Sequence, residues 1–232
     1  MVTLSLSQEA AQRRLAMLLT FNGGFVDTAG FLAMQGLFTA HVTGNFVTIA
    51  ASLVNGTSGN LVKIAALPVF CIGILAVRLS TWSMPAPRAL NCALLAHALL
   101  LMLGAGAAAW LLPSHSGDQW QVMVTGCLLV LAMSVQNGLQ RVHLPTHPPG
   151  TLMTGTTTQL VLELAMVLRG GPEESAAAKQ RATKMARQVT VFAVGCALSA
   201  VAYLSIGDWC FGISVVVAAM ALVCVRREEP VG

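Results

Sequence analysis

The chain has 232 residues, of which 56% are hydrophobic and only 9% are charged, and its formal net charge is +4. Soluble domains carry roughly 25% charged residues, so this composition excludes an ordinary soluble domain and indicates an integral membrane protein. Lysine and arginine concentrate in the cytoplasmic loops of membrane proteins. The small positive charge therefore does not indicate binding to nucleic acid.

Six apolar segments come close to the roughly 20 residues that a helix needs to cross the hydrocarbon core of a membrane. They comprise residues 15–35, 61–82, 89–112, 120–139, 188–206 and 209–225. Two further apolar runs, at residues 42–54 and 156–168, are too short to span comfortably. Runs of this length are typical of re-entrant half-helices, which enter and leave the membrane on the same side.

The basic residues favour six crossings over eight. With eight crossings, Arg78, Arg88 and Arg141 would all lie outside the cell, which violates the positive-inside rule. With six crossings and two re-entrant runs, both termini and the basic loops lie in the cytoplasm, and Lys63 is the exception on the outer side. Each half then has three crossings, an odd number, so the two halves are inverted relative to each other.

A repeated pattern supports this division. The first copy reads GFVD from residue 24 and LFTAHVTGN from residue 37, and the second reads VQNG from residue 135 and LMTGT from residue 152. In each copy a polar residue late in one apolar segment is followed by a Thr-Gly turn that opens a short second segment. The sequence predicts an all-α polytopic membrane protein with six transmembrane helices, two re-entrant half-helices and an inverted 3+3 repeat. It forms a single transmembrane domain over residues 1–232, with repeat 1 at about residues 14–112 and repeat 2 at about residues 120–226.

Asp27 is the ionisable side chain within the first apolar segment. A carboxylate at that depth costs about 3 kcal/mol on insertion scales, so such groups normally face a partner, a wet cavity or a proton path. The structural alternative is an Asp that ties one helix to another, with Asn22 among the nearby polar residues. Two glycines that precede Asp27, Gly23 and Gly24, permit the close approach of another backbone.

The second copy carries an amide where the first carries Asp27. Asn137 occupies the corresponding position and Gln136 lies beside it. An amide donates and accepts hydrogen bonds but carries no proton in turnover. Asp27 is therefore the candidate carrier of a proton or cation, and Asn137 is expected to position a ligand or to close a hydrogen-bond network.

The Thr-Gly turns are predicted to cap the two short helices and to line a path between the repeats. The predicted cap and turn residues are Thr43, Gly44, Asn45, Thr154, Gly155 and Thr156. The threonines and Asn45 would satisfy unpaired backbone N–H groups at the helix starts. The N-termini of the two short helices would then meet near mid-membrane, where they would attract an electronegative group. In the alternative interpretation, the same residues only cap short helices. His41, before the first turn, could gate or relay protons.

Other polar residues have simpler interpretations. The six cysteines lie in or beside apolar segments without a CxxC motif, so they are expected to pack as small hydrophobes. His143 and His147 have ligand spacing, but Pro145 lies between them, which favours a solvated loop over a metal site. We therefore predict no metal and no cofactor. Residues 170–187 are expected to form a short surface helix, and Glu163 could pair with Arg169 or line an entrance.

The repeated motifs resemble those of a known family. GFVD at residues 24–27, GFL at 30–32 and FTAHVTGN at 38–45, with QNG at 136–138 and TLMTGT at 151–156, are similar to the YoaK-like family of bacterial inner-membrane proteins. The similarity covers nearly the whole chain. It implies a multi-pass protein of the bacterial inner membrane, and it implies no substrate, because that family is one of unknown function.

These observations predict a small-solute transporter or channel, with Asp27 as the candidate coupling residue. The expected partners are the lipid bilayer and an unknown small solute, and the sequence leaves open whether the chain assembles with copies of itself. A structural, sensory or lipid-interacting membrane protein is the alternative. An intramembrane enzyme is less favoured, because the sequence offers neither a second intramembrane acid near Asp27 nor a cluster of metal ligands.

Overall fold

The computed structural model describes residues 6–114, 116–148, 150–151 and 153–226, and within these ranges the secondary structure is helical. The α-helices of the described residues are α1 (Leu6–Ala33), α2 (Asn45–Asn55), α3 (Asn60–Ser80), α4 (Ala86–Leu111), α5 (Trp120–His143), α6 (Met153–Arg169), α7 (Pro172–Ile206) and α8 (Phe211–Arg226). Short 3₁₀ turns precede α2 and α8 and follow α4. The predicted all-helical fold is confirmed, and all eight apolar runs fall on these helices.

Five stretches of the described residues are long and apolar enough to cross a membrane. They are Gln8–Ala33, Asn60–Ser80, Ala86–Leu111, Trp120–His143 and Pro172–Val225. The last stretch contains both α7 and α8, which are separated by a turn at Gly207, where φ is +55°. These lengths and compositions are those of a multi-pass helical membrane protein.

The outer faces of the long helices are apolar as well. Leu75 on α3, Met102 on α4, Leu204 on α7 and Val216 on α8 are all exposed. Soluble monomers rarely expose contiguous apolar surface of this extent. Polar side chains such as Asn22 instead lie inside the bundle, as expected for a chain whose surroundings are lipid.

Helices α1 and α7 run in parallel and touch through glycines. Thr20 donates a hydrogen bond to Gln188, and further along both helices Gly24 lies against the backbone of Phe192. A Cβ on Gly24 would overlap the carbonyl oxygen of Phe192, and a Cβ on Gly195 would overlap the backbone of α1. Small residues allow this close approach between membrane helices. The predicted close approach at the glycine pair of α1 is confirmed, and its partner is α7.

Helices α3 and α5 form a second parallel pair. Gly73 on α3 lies against Ser134 on α5, and Val77 lies against Gly138 one turn further along both helices. The first helices of the two halves, α1 and α5, run in opposite directions. The side chain of Gln136 donates to the carbonyl oxygen of Leu19, whereas Met34, which directly follows α1, lies beside Gly126, earlier in α5.

Residues 170–187 do not form a separate surface helix, so that expectation was wrong. They are the first half of α7, which is 35 residues long and therefore about 52 Å in length at 1.5 Å per residue. Pro172 in its first turn and Glu173 and Glu174 after it favour helix initiation. From there to Val194 the chain has neither glycine nor proline, so nothing stops the helix where the charged part meets the apolar part.

Helix α6 packs antiparallel along this first half of α7. The side chain of Ser175 donates to the carbonyl oxygen of Val167, and Arg181 donates two hydrogen bonds to the carboxylate of Glu163, at 2.7 and 2.8 Å. Of the two alternatives for Glu163, pairing with Arg169 was wrong, because Arg181 lies directly across the hairpin. The bidentate contact lowers the pKa of Glu163, so the carboxylate stays charged.

Candidate functional site

Asp27 fastens the loop that follows α1. The carboxylate is 4% exposed, and its Oδ1 atom accepts backbone N–H hydrogen bonds from Thr39 and Ala40, both at 2.7 Å. Its Oδ2 atom lies 2.6 Å from Nδ1 of His41. Asp27 is therefore not an isolated intramembrane carboxylate. Its partners lie on the following loop and not among the polar residues of α1 that the sequence suggested.

The path of the loop explains why it needs an acceptor. After α1 ends, Gln35 and Gly36 have positive φ values of +51° and +90°, which turn the chain sharply back along α1. The extended residues that follow have backbone donors without helical partners. A buried donor without a hydrogen bond costs about 1–3 kcal/mol. One carboxylate satisfies two of these donors at once, those of Thr39 and Ala40.

Asn45 holds the same loop from its other end. Its Oδ1 atom accepts from the backbone N–H of Phe38 at 2.8 Å, and its Nδ2 atom donates to the carbonyl oxygen of Phe38 at 2.9 Å. The prediction that Thr43 and Asn45 cap α2 was wrong. Gly44 is the N-cap residue, and it has no side chain that could cap α2. Thr43 is exposed. The 3₁₀ turn Val42–Gly44 leads directly into α2, so the amide of Asn45 is free to bind the loop.

His41 connects the loop to α7. Its ring packs edge-on against Phe192, with 5.5 Å between ring centroids, and its side chain is 31% exposed. The buried carboxylate of Asp27 is thus paired with an imidazole that reaches the surface. A carboxylate and an imidazole in direct contact can share or exchange a proton. This pair is the ionisable centre of the site.

The second half contains a related contact without the charge. The Nδ2 atom of Asn137 donates to Oγ1 of Thr151 at 2.5 Å, and the backbone N–H of Gly150 lies 3.3 Å from Oε1 of Gln140. Asn137 therefore holds the loop before α6, as Asp27 holds the loop before α2. Of the predicted turn residues here, Thr156 is buried, and Thr154 and Gly155 are exposed. Leu152, which occupies the position of His41 when the two copies of the repeat are aligned on their Thr-Gly turns, lies outside the described residues.

The two loops reach the same face of α1. Gly150 packs against Thr20 and Gly23, and the methyl group of Thr151 also lies beside Gly23. Asp27, which binds the other loop, is four residues after Gly23, so it lies one helical turn away on the same face. The structure therefore brings residues 39–40 and residues 150–151 to one face of α1, at positions about 6 Å apart in rise. These residues precede the predicted Thr-Gly turns, in which Thr43, Thr154 and Gly155 are exposed.

A buried polar cluster lies beside this meeting point. His97 on α4 contacts the carbonyl oxygen of Ala132 through Nδ1 at 2.9 Å and Nδ2 of Asn22 through Nε2 at 3.4 Å. Both contacts are satisfied by one tautomer, in which Nδ1 carries the proton and Nε2 accepts. Asn22, His97 and Gln136 are fully buried. Within the described residues, Oδ1 of Asn22 and Oε1 of Gln136 accept no hydrogen bond.

His97 was missed by sequence reasoning, although the criterion that identified Asp27 applies to it. It is an imidazole in the middle of an apolar segment, residues 89–112, where an ionisable side chain needs a partner. Gln188 was also missed as a site residue. Its position at the edge of an apolar segment gave no indication that it would pair with α1.

The fold and these buried contacts define a multi-pass helical membrane protein with a polar centre, which consists of Asn22, His97 and Gln136. Comparison with family models gives a match over residues 15–224, and the chain belongs to that family, which is described as protein of unknown function (DUF1275). No curated protein and no solved structure matches the chain. The expected membership of a family of unknown function is confirmed, and the narrower likeness to the YoaK-like family stays a prediction.

Proposed function

We propose that the protein is a transporter for a small polar solute in the bacterial inner membrane. The observation that carries the proposal is that two loops, one from each half, contact one face of α1 beside buried amide oxygens that accept no hydrogen bond within the described residues. In transporters built from internal repeats, substrate sites lie at the interface of the halves near mid-membrane. The proposal assigns the chain no catalytic chemistry.

The proposal includes an inverted repeat with six crossings, and helix packing supports it. Helix α1 pairs with α7 of the other half, and α5 pairs with α3, both in parallel. Helices α1 and α5 are themselves antiparallel. The corresponding contact segments are also alike, since residues 69–73 read VFCIG and residues 191–195 read VFAVG. In both, the glycine faces the partner helix.

The proposed crossings are α1, α3, α4, α5, α7 and α8, and the proposed half-helices are α2 and α6. Helix α2 has 11 residues, about 17 Å in length, and is too short to span. Helix α6 has 17 residues and lies against the charged half of α7. This packing supports an entry of α6 from the cytoplasmic side, with its N-terminus at the level of Thr20.

Labelling of single cysteines tests this topology. In a variant without the native cysteines, we expect Ser58→Cys and Ser116→Cys to react with an impermeant maleimide from outside intact cells. Ser83→Cys, Thr146→Cys and Ser175→Cys should react only after the membrane is opened, because the positive-inside rule places their loops in the cytoplasm. Labelling of Ser58 and Ser116 only after the membrane is opened, together with labelling of Ser83 and Thr146 from outside, would contradict the inverted repeat and restore eight crossings.

The polar centre favours a solute that donates hydrogen bonds. The amide oxygens of Asn22 and Gln136 have no donor in the part of the chain that the structure describes, and a bound N–H or O–H group would remove the cost of leaving them unpaired. The Asp27–His41 pair couples solute movement to the proton gradient. When Asp27 is protonated it becomes a weaker acceptor, so the N–H groups of Thr39 and Ala40 are released more easily. Proton binding is thereby linked to movement of the loop.

Solute flux tests the proposal. Proteoliposomes would be given a panel of small polar solutes with and without a proton gradient. We expect uptake of at least one donor-rich solute, and loss of that uptake of about tenfold or more in Gln136→Met, which removes the buried acceptor at similar volume. The matched control is Thr125→Val, because Thr125 is equally buried on α5 but donates only to Gln121 of its own helix. Equal flux in both variants would count against a solute site at Gln136, and no flux for any solute would count against transport.

A further inference from the structure

A basic cavity lies at the end of the bundle where the basic parts of α1 and α7 are found. It has a volume of about 500 Å³ and lies between α1, the loop after α5 and the first half of α7. Four cationic side chains line it, namely Arg13, Lys179, Lys184 and Arg187, with His147 at its edge. None of its described lining residues is acidic. Cations gathered around one cavity repel one another unless an anion lies between them.

The charges around the cavity are only partly compensated by the protein. Glu9 on α1 is the acidic group that acts on His147, and the opposing cations are Arg13, Lys184 and Arg187. The pKa of His147 is lowered, first by burial and then by these three cations. The field at the cavity is therefore positive, and it is an attractive field for an anion.

An apolar groove adjoins the cavity. It has a volume of about 760 Å³ and lies between α1, α7 and α8, with Phe21, Val191 and Met220 among its lining residues. Arg14 is the charged residue of its described lining. Met17 lines both the groove and the basic cavity. From Arg14 to Phe21 the groove extends about 10 Å along α1, which is the depth of most of one leaflet in a hydrocarbon core of about 30 Å.

We propose that the cavity and groove together bind one anionic phospholipid, with its phosphate among Lys184, Arg187 and Arg13 and one acyl chain in the groove. Two features favour this occupant over a free phosphate ion or a second copy of the chain. The groove is apolar from Met17 inward, which suits hydrocarbon and not a hydrated ion. It also begins beside the arginine pair Arg13 and Arg14, and basic residues at the end of a membrane helix attract the head groups of anionic lipids.

This site is separate from the proposed solute pathway and does not depend on it. Its floor is formed near Gln188, whose side chain accepts a hydrogen bond from Thr20, the residue that packs against Gly150. A lipid bound here therefore rests on the same part of α1 that contacts the second loop. Its binding stabilises the contact between α1 and α7 at their basic ends.

Thermal unfolding in a neutral detergent tests the proposal. The full chain would be titrated with phosphatidylglycerol, with phosphatidylcholine of the same acyl chains, and with inorganic phosphate. We expect phosphatidylglycerol to raise the melting temperature at concentrations where the other two have little effect. The double variant Lys184→Gln and Arg187→Gln should weaken the apparent affinity for phosphatidylglycerol about 25-fold, or about fivefold for each cation. The double variant Arg88→Gln and Arg169→Gln is the charge-matched control, since both arginines are exposed and neither lines the cavity or the groove.

A second variant tests the groove. Ala219→Phe fills the groove, because Ala219 lies in its lining. This variant should reduce the increase in melting temperature that phosphatidylglycerol causes by at least about half. Ala197→Phe, at an exposed position on α7 outside the groove, should not reduce this increase. Equal gains from phosphatidylcholine would overturn recognition of the head group. Equal gains from inorganic phosphate would assign the cavity to a free ion, and a dimer that Ala219→Phe disrupts would assign the groove to a second copy of the chain.

The pH dependence gives an independent measurement. Without lipid, His147 has a lowered pKa, so its contribution to stability is present above about pH 6.5 and is lost as the pH falls through its folded pKa. A bound phosphate diester offsets the field of Arg13, Lys184 and Arg187 and makes protonation of His147 easier. The increase in melting temperature that phosphatidylglycerol causes should therefore be larger at about pH 5.5 than at about pH 7.5. His147→Gln should remove this difference, and a difference that survives in His147→Gln would contradict the assignment.

Discussion

Replacement of Gly195 by alanine should destabilise the protein severely, because the new Cβ would overlap the backbone of α1. The atoms that it meets are the carbonyl oxygen and carbon of Phe21 and the amide nitrogen of Phe25, so no side chain can move aside. Helices α1 and α7 would have to separate along a contact that includes Gly24 and the Thr20–Gln188 hydrogen bond. Overpacking a buried contact costs about 1–3 kcal/mol, and more where the backbone must shift. We expect the upper end of that range.

The measurement is the melting temperature in detergent, followed by tryptophan fluorescence, which should fall by about 5 °C or more. Gly106→Ala is the matched control. Gly106 lies within α4, and a Cβ there would meet nothing within 4 Å, so the helix preference of alanine should leave stability equal or slightly higher. Unchanged stability in Gly195→Ala would mean that α1 and α7 do not pack through their backbones.

The positions of the helices could be predicted from the sequence, because hydrophobicity is a local property. Each of the six long apolar segments coincides with a helix, and the two short runs form α2 and α6. The extension of α7 back to Pro172 was not predicted, since a helix continues through a change from polar to apolar residues when its backbone preferences allow it. The choice of helix partners depends on distant residues. The glycine pair at residues 23–24 indicated close contact but could not identify α7.

The residues of the site were easier to predict than their roles. The sequence identified Asp27 and Asn45 as residues of the site. The path of residues 34–41, however, decides which donors and acceptors they contact. That path depends on the positive φ values at Gln35 and Gly36, and Gln35 gives no sequence signal for such a conformation. The corresponding contact of Asn137 with Thr151 also required the fold. His97 was predictable in principle, since it lies alone among apolar residues.

Replacement of Asp27 by alanine should have the second large effect, while replacement by asparagine should be tolerated. Alanine leaves the buried N–H groups of Thr39 and Ala40 without an acceptor and removes the partner of His41. Breaking a buried charged contact of this kind costs about 3–5 kcal/mol. Asparagine keeps one oxygen for the two N–H groups, and its NH₂ group can donate to Nδ1 of neutral His41. We expect Asp27→Ala to be purified in low yield with a lowered melting temperature, and Asp27→Asn to resemble the native protein.

The two variants separate a structural role for Asp27 from a role in proton coupling. Asp27→Asn cannot take up or release a proton at this position, so gradient-driven flux should be lost while exchange of solute across the membrane continues. His41→Gln should alter the pH dependence of flux without abolishing it, because the Asp27 carboxylate remains hydrogen-bonded to the loop. If Asp27→Asn transports with native rates and native pH dependence, the carboxylate only anchors the loop, and the coupling proton is carried elsewhere. If Asp27→Ala is as stable as the native protein, the anchoring role fails as well, because two buried donors cannot lose their acceptor without cost.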